Sequence, residues 1–164
     1  MGAGKIIALV GGIITLLGTY VFALYGATGF VGSGIGFILN IPDLFTEAGT
    51  IAPLLSTPVA LFYIYIVIFI IFLASGVLQM ATIKSRIVGF IFSLFPLGVG
   101  LMFIFLTYTD FLGIKSLFFA IVFLGEQYGN VFPVLLNLGD LGLGVYLLLA
   151  GGALGLISVF MDRD

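Results

Sequence analysis

Residues 58–80 read PVALFYIYIVIFIIFLASGVLQM, and no charged residue falls anywhere between Glu47 and Lys84. A helix of about 20 apolar residues crosses a bilayer, so the stretch predicts a transmembrane span. Working outward, charge is also missing between Lys5 and Asp43, between Arg86 and Asp110, and between Asp140 and Asp162. Each gap holds a comparable run. The sequence therefore predicts an all-α integral membrane protein: one four-helix transmembrane domain over residues 1–164, with spans at about 6–27, 58–80, 87–108 and 141–161.

Composition supports the same class. Only 7% of the residues are charged, against about 25% in ordinary soluble domains, and the mean hydropathy is +1.40. The absence of Cys and His removes disulfides, thiolate and imidazole metal ligands, and the usual near-neutral proton carrier. His-based triads, iron–sulfur clusters and His- or Cys-ligated haem are excluded with them. A net charge of −2 gives no basis for nucleic-acid binding. No cofactor or metal is expected.

Lys and Arg are retained on the cytoplasmic side of a membrane. With both termini inside, Lys5, Lys84, Arg86 and Arg163 lie inside and only Lys115 outside, so the expected placement is N-in, C-in and multi-pass in the cell membrane. The apolar run after Lys5 exceeds the h-region of a signal peptide and reads as a span. Tyr20, Tyr25, Tyr63, Tyr65, Tyr108 and Tyr146 fall in the outer halves of their spans, as a one-sided aromatic belt would place them. A sharper alternative has their hydroxyls ringing an outer vestibule.

Everything else lies in two outer loops, residues 28–57 and 109–140, both too apolar for plain linkers. In the first, Gly32, Gly34 and Gly36 mark an irregular exit. Asp43 is then expected to cap a short helix with Glu47 in its first turn, and Pro58 to open the second span. In the second, Asp110 is expected to cap Phe111 to Leu124, about 21 Å of helix. That is too short to cross, so it is expected to lie in the interface, to be re-entrant, or to pack on another subunit. A competing reading makes Ser116 to Leu124 and Ile35 to Ile41 strands of a small sheet. Leu39-Asn40-Ile41-Pro42-Asp43-Leu44 is echoed by Leu136-Asn137-Leu138-Gly139-Asp140-Leu141, and each Asp reads as a helix cap, Asp140 for the fourth span.

Span one carries Ala8, Gly11, Gly12, Thr15 and Gly18, and span four carries Gly151, Gly152 and Gly155. Small residues let helices approach closely in lipid, so these two spans are expected to touch, within a subunit or between subunits. Spans two and three are bulky, and Pro96 is expected to bend the third. Gln79, near the end of span two, reads as solvated at the inner boundary.

Signature motifs fail. Gly2-Ala3-Gly4-Lys5 lacks the Ser/Thr of a phosphate loop, and no Asn begins a glycosylation sequon. The spans also lack the ionisable residues that mark transport paths. The leading expectation is a non-catalytic protein that self-assembles in contact with membrane lipids, as a wide-pore channel or a structural array. Alternatives are an accessory subunit of a larger membrane complex, or a lipid-handling protein using outer carboxylates. Asp43, Glu47, Asp110, Glu126 and Asp140 are the candidates for an outer mouth or partner contacts.

Overall fold

The computed structural model describes residues 2–162, so Arg163, one of the cations used for orientation, lies outside the described residues. The chain is mostly helical. In order it forms α1 (Ala3–Leu16), continued by one π-turn (Leu17–Val21), β1 (Tyr25–Ala27), β2 (Phe30–Gly32), α2 (Gly34–Thr46) and α3 (Ala48–Leu54). Then follow α4 (Val59–Met80) with a 3₁₀ turn (Ala81–Ile83), α5 (Arg86–Tyr108), α6 (Lys115–Val122), β3 (Leu124–Glu126), β4 (Asn137–Leu138), β5 (Leu141–Gly142) and α7 (Leu143–Phe160). Four helical stretches, Ala3–Val21, Val59–Ile83, Arg86–Tyr108 and Leu143–Phe160, are long and apolar enough to cross a membrane.

The first and last helices lie side by side and antiparallel. Gly4 N–H donates to Asp162 O at 2.9 Å, while Gly18 approaches Gly144 and Leu148. Both termini therefore share one end of the bundle with the α4–α5 turn; this is the terminal end. α4 packs on α1 and α5, and α5 on α7.

At the opposite, loop end the expectation of a wholly α fold fails. β1 and β2 form an antiparallel hairpin, and β3 joins the other edge of β2 with Phe30 opposite Glu126. Residues 25–27 belong to the expected first span, yet the first long helix stops at Val21 and these residues pair as a strand. The backbone groups freed there find partners: Leu24 N–H donates to Gly32 O and Ser33 N–H to Phe123 O, each at 2.8 Å. In an apolar setting such pairing is obligatory. The competing sheet fails as well, because Ile35–Ile41 lies in α2 and Ser116–Val122 in α6.

Helix boundaries at this end follow local chemistry that differs from the expected caps. Ser33 caps α2, its Oγ accepting from Gly36 N–H at 3.1 Å, whereas Asp43 sits near the end of that helix and Glu47 at the α2–α3 junction. Asp110 lies in a turn before α6, whose N-cap is Ile114. Asp140 occupies the two-residue turn of the β4–β5 hairpin beside Gly139, whose φ of 71° suits glycine, and Gly142 is the N-cap of α7. The two echoed hexapeptides thus adopt different structures, one helical and one a hairpin.

The connecting helices fold back into the bundle. Gly34 abuts Leu73, the Phe37 ring meets Phe69, and Phe45 stacks on Tyr63, so α2 runs antiparallel to α4 from its middle to its start. α6 descends alongside α4 in the same direction, with Phe118 on Phe62, Phe119 on Tyr65 and Phe69, and the following Phe123 on Phe72.

Candidate functional site

In the half of the bundle nearer the termini, small residues bring backbones together around one polar side chain. A Cβ on Gly11 would stand 3.0 Å from Gly151 O, and one on Gly151 would stand 2.8 Å from Gly11 O. Gly12 faces Gly76 of α4 and Gly152 faces Ser93 and Leu97 of α5, while nearer the loops Gly18 faces Gly144. Ala8 is fully buried. The space opened by Gly11, Gly151 and Gly155 holds the Gln79 carboxamide, with Ser93 beside Gly155. Thr15 Oγ1 donates to Gln79 Oε1 at 2.9 Å, and Gln79 Nε2 donates to Gly151 O at 2.6 Å.

Gln79 is therefore not solvated. It is 0% exposed, because α1 and α7 run on past it toward the terminal end. It joins three helices, and the signal for it was available: it is the most polar side chain in a span of aliphatic and aromatic residues. Ser93 and Ser158 donate to carbonyls of their own helices, Gly89 O and Gly155 O, each at 2.6 Å. The buried polar groups are thus occupied with one another.

The half nearer the loops is filled with aromatic rings instead. Phe123, fully buried at the end of α6, lies 5.2 Å from Phe37 of α2, 5.1 Å from Phe69 of α4 and 5.4 Å from Phe103 of α5, centroid to centroid. Tyr25 extends the cluster, 5.4 Å from Phe103, and its hydroxyl donates to Ala120 O. Burial pushes that hydroxyl far above the ordinary tyrosine range. Tyr20 and Tyr146 likewise donate to backbone carbonyls, Leu73 O and Leu138 O; these hydroxyls anchor segments rather than ring a vestibule.

Two apolar grooves open on the surface. One, about 560 Å³, runs between α4 and α5 from Ile91 to Met102, reaching Tyr65 and Phe119 at its loop end. The other, about 510 Å³, lies between α2–α3 and α6, with Leu54, Leu117 and Ile121 on its sides and Asn40 and Asp43 at its polar edge. Asn40 ties its walls together, its Nδ2 donating to Val122 O and Leu124 O at 3.0 Å each. A smaller hollow of about 360 Å³ beside the sheet includes Phe30, Glu126 and Tyr128.

The structure does not bring the five acids together. Asp43, Glu47, Asp110, Glu126 and Asp140 are all exposed, and Asp43 and Glu126 border different hollows. Among the described residues no group of three or more Asp or Glu could hold a metal ion. The grooves were not read from the sequence, because their walls combine residues of elements far apart in the chain.

No protein-family model, curated protein or solved structure matches the chain.

Proposed function

We propose that this chain is a multi-pass membrane protein with both termini cytoplasmic, and that it serves as a non-catalytic accessory subunit docking a membrane partner with its loop end. Membrane placement draws on the four apolar helices. Orientation draws on Lys5, Lys84 and Arg86 at the terminal end against Lys115 alone in the opposite segments.

The observation that carries the docking role is the apolar surface around the α2–α3–α6 groove. Leu54 is 69% exposed, Leu117 66% and Ile114 62%, with Ile121 beside them, all lining the groove. A contiguous exposed apolar patch marks an interaction surface, and here it lies on the connecting helices that fold back alongside the loop-end half of α4.

Self-assembly through the glycine faces loses its basis, because those faces are occupied within the chain. A pore between copies also lacks a lining. Beyond Arg86 in the first turn of α5, the exposed positions of the four long helices are aliphatic residues, Phe, Tyr, Ala or Gly. Outer carboxylate chemistry has no cluster to work with.

The test is the mass of the protein extracted from its own membranes in mild detergent, for the wild type and for Leu117→Glu. The expected result is one copy of the 17.4 kDa chain in a heteromeric particle that Leu117→Glu dissociates. A ring of identical copies, or a heteromer indifferent to Leu117→Glu, overturns the docking role. Labelling of single cysteines placed at Lys84 and Tyr128, in a chain that has none of its own, reads the orientation separately.

A further inference from the structure

Lys115 is the one cation in the segments that join the long helices at the loop end, and it has no carboxylate partner among the described residues. It stands in the first turn of α6 with its Nζ 6.0 Å from the centroid of the Tyr65 ring. Tyr65, and Phe119 one turn further along α6, form the loop-end wall of the α4–α5 groove. The Tyr65 hydroxyl is likewise free of any hydrogen bond among the described residues. An unpaired ammonium and an unused hydroxyl donor therefore flank the mouth of a long apolar slot.

The slot has the proportions of a hydrocarbon chain. From Ile91 to Met102, α5 rises about 16 Å, and apart from the Tyr65 hydroxyl the lining is aliphatic, aromatic or Met. Its floor includes Gly98, where an added Cβ would meet no atom within 4 Å. A helical glycine usually permits a neighbouring helix to approach; this one leaves room on an outward face.

We infer that the α4–α5 groove is a binding site for one anionic phospholipid. An acyl chain lies along the groove over Gly98, and the phosphate sits between Lys115 Nζ and the Tyr65 hydroxyl. The inference rests on the membrane placement proposed above but not on the docking role. Burying a chain already in lipid gains little from the hydrophobic effect, so selectivity comes from packing in the slot and from the charge-assisted hydrogen bond at its mouth.

The experiment is native mass spectrometry of the detergent-purified chain titrated with phosphatidylglycerol or, separately, phosphatidylcholine. Wild type is expected to bind one phosphatidylglycerol in preference to phosphatidylcholine. Lys115→Gln is expected to weaken phosphatidylglycerol binding roughly tenfold, the worth of one charge-assisted hydrogen bond, and to leave phosphatidylcholine unchanged. Gly98→Leu should fill the slot and weaken both lipids without lowering the melting temperature, since Leu is the better helix former. Equal affinity for the two lipids, or Gly98→Leu binding like wild type, overturns the site. Resistance of the same variants to alkaline extraction from membranes reports insertion independently, so failure of the membrane reading is told apart from failure of the site.

Discussion

The two halves of the bundle solve the same packing problem with opposite chemistry. Toward the termini, glycines remove side chains so that backbones touch, and a single carboxamide links α1, α4 and α7 through hydrogen bonds. Toward the loops, glycines still let backbones meet, Gly18 at Gly144 and Gly36 at Phe123, but the core there is a cluster of rings from α2, α4 and α5 around Phe123. The difference reflects how many elements each half must hold. The terminal half holds the four long helices alone, whereas the loop half also holds α2 and α6 folded back against α4, and large rings fill the space among them. Close approach depends on shape and fails sharply; an aromatic cluster depends on volume and fails gradually.

Substitutions break this comparison in a definite order. Gly151→Leu is expected to have the largest effect, because four added carbons must displace the α1 backbone that already crowds a Cβ at 2.8 Å. Overpacking of a close site costs about 1–3 kcal/mol and sometimes more, and with no flexible neighbour to yield, loss of folded protein on detergent gel filtration is the expected reading. Phe123→Ala comes next, at about 3–5 kcal/mol for a buried ring whose surroundings relax only in part. It should lower the melting temperature and open the α6 segment to protease while leaving the α1–α7 pair protected. Cleavage spread evenly over the chain would contradict separate packing in the two halves.

Gln79→Met keeps the volume and removes the hydrogen bonds, stranding the Thr15 hydroxyl and Gly151 carbonyl at a cost of about 1–3 kcal/mol. Adding Thr15→Val should recover part of the loss, because the second polar orphan disappears. Strictly additive melting shifts in that pair would show that Thr15 and Gln79 are not coupled. The smallest effect concerns pH. With its folded pKa raised by burial, Tyr25 contributes stability that is intact below its ordinary value near 10 and is lost as pH climbs from there toward the raised folded value. Melting should therefore decline above about pH 10, and Tyr25→Phe should flatten that decline.

The long helices were legible because missing charge is a property of consecutive residues. α4 and α5 begin and end within a few residues of the expected spans, and the glycine-rich faces of α1 and α7 announce close approach wherever they meet. Other features required three dimensions. Tyr25-Gly26-Ala27 carries no charge and directly follows a long apolar run, and such continuity does not separate a helix from a covered strand. Asp43 resembles a cap, but Ser33 ten residues earlier captures that role and the helix simply runs through. Gln79 lies next to a helix end in sequence yet deep in the bundle, since depth depends on how far its neighbours extend. Phe123 continues the buried Phe118–Phe119–Val122 face of α6, but its central position depends on α2, α4 and α5 converging on it, which has no linear trace.

The pairing of the first helix with the last also sets a timetable. As the chain emerges, Thr15 and Gln79 are in place long before Gly151 is made, so the Gln79 amide has no permanent acceptor until α7 arrives. For that interval the growing protein carries an unfinished polar contact within an apolar assembly, the kind of defect that quality-control proteases and chaperones distinguish. A chain ending after Asp140 should be cleared rapidly in a pulse-chase, and co-expression of the missing residues 141–164 should prolong its life.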